Sequence, residues 1–149
     1  MNEAKKNIIV DKSFQFALKI INFCELLEER KKNIVSRQLL KSGTSIGANI
    51  REAQNAESVD DFIHKLKIAA KEADETEYWL LICKESPTYP FEEKLLVDIQ
   101  EIMRILSKII ISIKKRKYEI AMRINAHQPK MKLSLTNRHC SLFEWRIPS

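Results

Sequence analysis

The sequence predicts an all-α protein: an antiparallel up-down-up-down four-helix bundle followed by a C-terminal extension. Three observations carry this expectation. Apolar residues recur in steps of three and four through four long segments, which is the spacing of a helix with one buried face. Those segments are separated by short polar or proline-containing breaks. The chain of 149 residues holds only 2 glycines and 4 prolines against 44% hydrophobic residues, enough for one domain with a real core. The expected division is a bundle over residues 1–118 and an extension over residues 119–149, possible ground for disorder.

After a polar lead-in, Asp11 can cap a first helix from about Lys12 to Arg30. Phe14, Ala17, Leu18, Ile21 and Cys24 form one apolar stripe, and Phe16, Ile20, Phe23 and Leu27 form a second beside it. One buried stripe suffices for a lone bundle, so the second faces either another helix of the same chain or another subunit. The charged run from Glu28 to Asn33 makes the first connection, and a second helix follows from about Ser36 to Ala56. Gly43 and Gly47 lie four residues apart on it, among Leu39, Leu40, Ile46, Ile50 and Ala53. They share a face on which a neighbour can approach closely, which compensates their poor helix propensity.

Ser58, with Asp61 three residues on, resembles a capping box and opens a third helix from about Val59 to Glu85. Val59, Phe62, Leu66, Ala69, Ala73, Thr76, Leu80 and Cys83 form its seam, and Pro87 ends it. Tyr78, Leu81 and Ile82 point away from that seam and are candidate oligomer-interface residues. Past the turn-like Ser86 to Pro90, a fourth helix runs from about Phe91 to Lys117, with Leu95, Ile99, Ile102, Leu106, Ile109 and Ile113 in its seam. Its basic end, Lys114 to Lys117, would complement the negative pole of the helix.

The residues KSGTSIGANIREA (Lys41 to Ala53), S-x-x-D-F (Ser58 to Phe62) and IAAKEADETEYWL (Ile68 to Leu80) carry a family resemblance. Together they resemble the four-helix-bundle proteins encoded in intervening sequences of bacterial 23S ribosomal RNA genes, a family that includes accessory proteins of diversity-generating retroelements. The resemblance implies a homo-oligomeric ring, most naturally a pentamer. In the retroelement branch it implies a barrel that engages a reverse transcriptase and nucleic acid. Asn49, Glu52 and Glu75 coincide with polar positions of the family motif. Facing inward they would hydrogen-bond across the second and third helices, and facing outward they would line a subunit interface.

Charge and chemistry narrow the function. The formal net charge of +6 and sequence pI near 9.2 favour association with polyanions. The candidate nucleic-acid-binding residues are Arg30, Lys31 and Lys32 at the first turn and Lys114, Lys115, Arg116 and Lys117 on the fourth helix. In an antiparallel bundle these groups fall at opposite ends. No base-reading motif is present, so contact would be to the backbone of RNA or DNA. The 3 cysteines form no C-x-x-C pair, and Cys24 and Cys83 read as small core residues.

No secretory signal or membrane-length apolar run is legible, so a cytoplasmic protein without membrane contact is expected. Gly43 to Gly47 is neither a phosphate loop nor a membrane dimer motif. A di-metal site would need two Glu-x-x-His pairs, whereas the nearest element is a single Asp61-x-x-His64. Ser42 and Ser45 lack a legible activating base. The expectation is no cofactor, no metal, no catalytic residue and no enzyme. The two functions in play are an oligomeric accessory module that binds nucleic acid through basic surface, and an oligomeric protein-interaction scaffold without nucleic-acid binding.

Overall fold

The computed structural model describes residues 7–127, which form α1 (Ile8–Glu29), α2 (Asn33–Ala53), α3 (Val59–Glu85) and α4 (Glu93–His127). Among the described residues there is no strand, and the architecture is an all-α bundle. Each helix packs against its neighbours in sequence, and α4 closes the square against α1. The backbones of the diagonal pairs, α1 with α3 and α2 with α4, do not approach each other closely. The core between them is built from Phe16, Ile20, Phe23 and Leu27 of α1, Leu39, Ile46 and Ile50 of α2, Leu66, Ala69, Ala73 and Leu80 of α3, and Leu95, Ile99, Ile102 and Leu106 of α4. Each large side chain buried there contributes about 1.5–3 kcal/mol.

The helix boundaries show where packing overrides local signals. Helix α1 begins at Ile8, before Asp11, because Ile9 is buried and Val10 packs against the core. Asn7 occupies the N-cap position without a side-chain capping bond, its side-chain amide donating instead to Gln54 Oε1 at 2.9 Å, and Asp11 falls in the first turn, where its charge is still favourable. Helix α2 likewise begins before Ser36, at Asn33, and Ser36 is buried. Its hydroxyl lies 3.1 Å from Glu28 Oε1 and 3.3 Å from the Cys24 carbonyl. Helix α3 starts where its signal predicts. Ser58 accepts from the Asp61 amide at 3.1 Å, while the Asp61 carboxylate reaches back past the cap to the Glu57 amide at 3.3 Å.

Helix α4 departs furthest from expectation, running to His127 instead of ending near Lys117. Residues Tyr118 to His127 contain no glycine or proline, and the first breaker is Pro129. The helix therefore enters the expected extension, whose part after His127 lies outside the described residues.

Helix α1 ends in a motif that its sequence does not advertise. The Lys32 amide donates to the Leu27 carbonyl and the Lys31 amide to the Glu28 carbonyl, both at 2.8 Å, which is the Schellman pattern. Lys31 occupies the left-handed position at φ 59°, where glycine is favoured.

The α1–α2 seam depends on small residues. A Cβ at Gly43 would stand 2.9 Å from Ile20 Cγ2, and Ile20 is fully buried with nowhere to move. A Cβ at Gly47 would stand 3.5 Å from the Ser13 carbonyl oxygen, an ordinary contact. On the α3 side of α2, Thr76 Oγ1 lies 3.0 Å from Ser42 Oγ and 2.7 Å from the Glu72 carbonyl, so two fully buried hydroxyls satisfy each other. Cys24 and Cys83 are buried in the core, and desolvation pushes both thiols up to about 11.

The two glycines should therefore respond differently. Gly43→Leu should cost about 1–3 kcal/mol through overpacking, whereas Gly47→Ala should gain up to about 1 kcal/mol from helix propensity. Thermal unfolding that ranks the variants in the reverse order would refute this packing geometry. In the same assay Lys31→Gly should raise stability by about 1 kcal/mol, because it relieves a left-handed non-glycine residue.

Candidate nucleic-acid interface

Up-down-up-down topology sends the α1–α2 turn to one end of the bundle and the second half of α4 to the other. The two basic groups read from the sequence are accordingly kept apart. At the first end Arg30 and Lys31 are exposed, but Lys32 is engaged. Its ammonium donates to Thr88 Oγ1 at 3.1 Å and lies 4.5 Å from the centre of the Tyr89 ring. It ties the α1–α2 turn to the α3–α4 loop by a cation–π contact and a hydrogen bond, leaving less of its charge for a ligand.

At the other end, Lys114, Lys115, Arg116 and Lys117 lie inside α4, more than two turns from His127. The expected role in complementing a helix terminus does not apply, since that effect fades beyond the last turn. Four successive helical residues also point in four directions, about 100° apart, so they form no single face. Lys114 and Lys117 line a groove of about 570 Å³ with His64 and Lys67 of α3 and with Tyr118. Arg116 and Lys117 border a second, apolar groove of about 810 Å³. Lys117 is ion-paired with Asp60, while Lys114, Lys115 and Arg116 have no ion pair among the described residues.

Lys67, His64 and Tyr118 are the additions that the fold makes to this group. The cross-helix contacts Lys84–Glu93 at 3.4 Å and Gln100–Glu77 at 2.9 Å mark the α3–α4 register that carries Lys67 to the turn of Lys114. A sequence signal existed, because Lys67 sits on the outward face of a helix whose seam is legible. The register itself was not legible. Tyr118 is 65% exposed and offers a ring beside the cations.

The polar positions of the family motif make no inward network. Asn49 Nδ2 donates to the Ser45 carbonyl of its own helix at 2.9 Å. Exposed Glu52 accepts from Lys65 of α3 at 2.6 Å, a bond that raises the pKa of the Lys65 ammonium. Exposed Glu75 accepts from Trp79 Nε1 at 3.4 Å. The buried bond between α2 and α3 is made instead by Ser42 and Thr76.

Two apolar areas remain on the outside. Tyr78 and Leu81 of α3 are exposed and Ile82 is half-buried; Tyr78 packs edge-on against Trp79. On α1 the stripe Phe16, Ile20, Phe23, Leu27 is the core, and Cys24 is buried with it. Phe14, Leu18 and Ile21 of the other stripe are exposed. Helices α1 and α3 occupy diagonal corners, so these areas face away from each other. No helix among the described residues is long and apolar enough to cross a membrane, and none of their His, Cys, Asp and Glu side chains form a group of three able to hold a metal.

An antiparallel bundle with exposed apolar corners and a basic end defines a class of small all-α proteins. The chain belongs to the 23S rRNA-intervening sequence protein family, whose sequence model matches residues 5–108. It is similar to a crystallised protein of unknown function from the S23 ribosomal protein family of Bacteroides thetaiotaomicron VPI-5482, with 48% sequence identity and a TM-score of 0.65. That similarity covers 68% of this chain and 97% of the other. No curated protein matches the chain.

Proposed function

We propose that the protein is a non-enzymatic accessory module that assembles into a ring and holds the backbone of RNA or DNA against the basic end of its bundles. The observation that carries the reading is the grouping of Lys67 and Lys114 with an exposed Tyr118 where α3 begins and α4 leaves the bundle, with Lys115 and Arg116 exposed on other faces of the same turn of α4. Cations there can neutralise phosphates, and the ring can stack on a base without reading its sequence. Ring formation is supported by the placement of the apolar areas. Two unlike patches on opposite corners suit a head-to-tail interface, which closes into a ring when the rotation permits. Five copies is the stoichiometry that the family resemblance implies. In such a ring every subunit points the same way, so the basic ends gather on one side and bind with avidity. The resemblance also implies a reverse transcriptase as a partner in the retroelement branch.

Two outcomes test the assembly. Phe14→Glu and Tyr78→Glu should each reduce the mass seen by light scattering while helical content is retained. Mixing the two variants should then yield a one-to-one heterodimer, because one patch of each remains intact. A mixture that stays monomeric would rule out the head-to-tail arrangement.

Nucleic-acid binding is tested separately by fluorescence anisotropy with a single-stranded RNA at about 0.15 M salt. Substituting Lys67, Lys114, Lys115 and Arg116 with Gln should weaken binding. It should also flatten the salt slope by roughly 0.7 for each phosphate that is no longer neutralised. Negligible binding by the unsubstituted oligomer would favour the protein-interaction scaffold instead.

A further inference from the structure

The groove of about 810 Å³ beside Arg116 and Lys117 is apolar and lies where the bundle loses one wall. Ala53, Ala56, Val59 and Phe62 form one side and Ile113 and Ile120 the other, with Arg116 and Lys117 on the rim. It exists because the helices are unequal. Antiparallel register places the start of α1 near the level of Glu101 and the following turns of α4, as the Lys12–Glu101 pair at 2.8 Å shows. Helix α3 reaches farther, to the level of Lys117, as the Lys117–Asp60 pair shows. The last part of α4 thus continues its apolar spacing with Ile113, Ile120 and Ile124 after α1 has given out. Val59 and Ile120, facing each other across the groove, are both 51% exposed.

We infer that this groove is the docking site of the chain's own C-terminal segment, residues 128–149, with Leu142, Phe143 and Trp145 as its apolar anchors. Three observations select this occupant. First, the groove wall from α4 and the segment share one origin. Both lie beyond residue 108, where the family match ends, and the Bacteroides relative is 97% covered by a match that takes in only 68% of this chain. The added helix creates the apolar surface, and the added segment supplies apolar side chains of its own. Second, the reach is sufficient. From Ile113 to His127 the helix rises about 21 Å, at about 1.5 Å per residue. About seven extended residues retrace that distance, and Pro129 allows the chain to leave the helix and turn back. Leu142 to Trp145 lie farther along than that.

Third, charge agrees. The segment's one acidic residue, Glu144, stands between its two aromatic residues, and the charged residues lining the groove are Arg116 and Lys117. Arg116 has no ion pair among the described residues, so it is available to Glu144. An apolar sequence with a central carboxylate therefore meets an apolar groove with a cationic rim.

The thiols of the chain provide the test. Cys140 lies two residues before Leu142, whereas Cys24 and Cys83 are buried and their thiols are held protonated. In the full-length chain, Val59→Cys puts an accessible thiol at the groove. Ile34→Cys, at a position 79% exposed at the opposite end of the bundle, serves as the reference. With oxidised glutathione as oxidant, the Val59→Cys chain should form an intramolecular disulfide to Cys140 at least about tenfold faster than the Ile34→Cys chain, through higher effective concentration. Adding Ile120→Glu, an exposed position whose change spares the core, should abolish the preference. Equal rates at the two positions, or insensitivity to Ile120→Glu, would overturn the proposal. A covalent dimer as the main product would overturn the own-chain assignment and give the groove to a second copy. Binding of nucleic acid has no part in any of these readouts.

Discussion

The close approach of α1 and α3 to the two sides of α2 is the constraint on which the rest of the bundle depends. On one side Gly43 leaves room for the branched side chain of Ile20, which sits fully buried where a Cβ would collide with it. On the other, Ser42 and Thr76 close a hydrogen bond in the dry interior. Small residues bring helices together, and the paired hydroxyl contact marks the height at which they meet, because a one-turn slip would part Ser42 from Thr76. Helix α4 then completes the square against α1 and α3, with the outward pairs Lys12–Glu101, Lys19–Asp98 and Lys84–Glu93 along its flanks. Those pairs are exposed or half-exposed and contribute little individually.

A square bundle gives each helix two neighbours and one outward face. Helix α1 spends its best aromatic stripe on the interior and still carries Phe14, Leu18 and Ile21 outside, more apolar surface than the bundle consumes. The surplus on α3 lies at the opposite corner. Their separation by the fold, not their composition, gives the surface a direction suited to head-to-tail assembly. Charge is graded along the other axis, with one basic group at each end and the better-formed one where α4 leaves the bundle.

Helix length divides what the family shares from what this chain adds. Within residues 5–108 the helices cover one another, and the 48% identical relative has a corresponding fold. Beyond them α4 continues without a complete set of neighbours, and both grooves next to the Lys114 to Lys117 cluster result from that overhang.

The sequence by itself determined the fold class, the order of the helices and the start and end of α3, because three-four apolar spacing, Ser58 with Asp61, and Pro87 all act within a few residues. It also separated the two basic groups, since an antiparallel topology follows from short connections. It did not show which α1 stripe would be buried, because Phe14, Leu18 and Ile21 are as apolar as the core residues beside them. Nor did it show that Ser36 is a core residue, or that Lys31 closes α1 in a left-handed conformation, since tertiary packing overrides local preferences. The end of α4 was not legible for a related reason: a run of cations looks like a helix terminus, but only a missing helix former or a breaker stops the chain. Tertiary structure alone decided that Lys67 and His64 join Lys114 and that α1 falls short of α4. Both depend on cross-helix register, which is set by the packing of residues far apart in the chain.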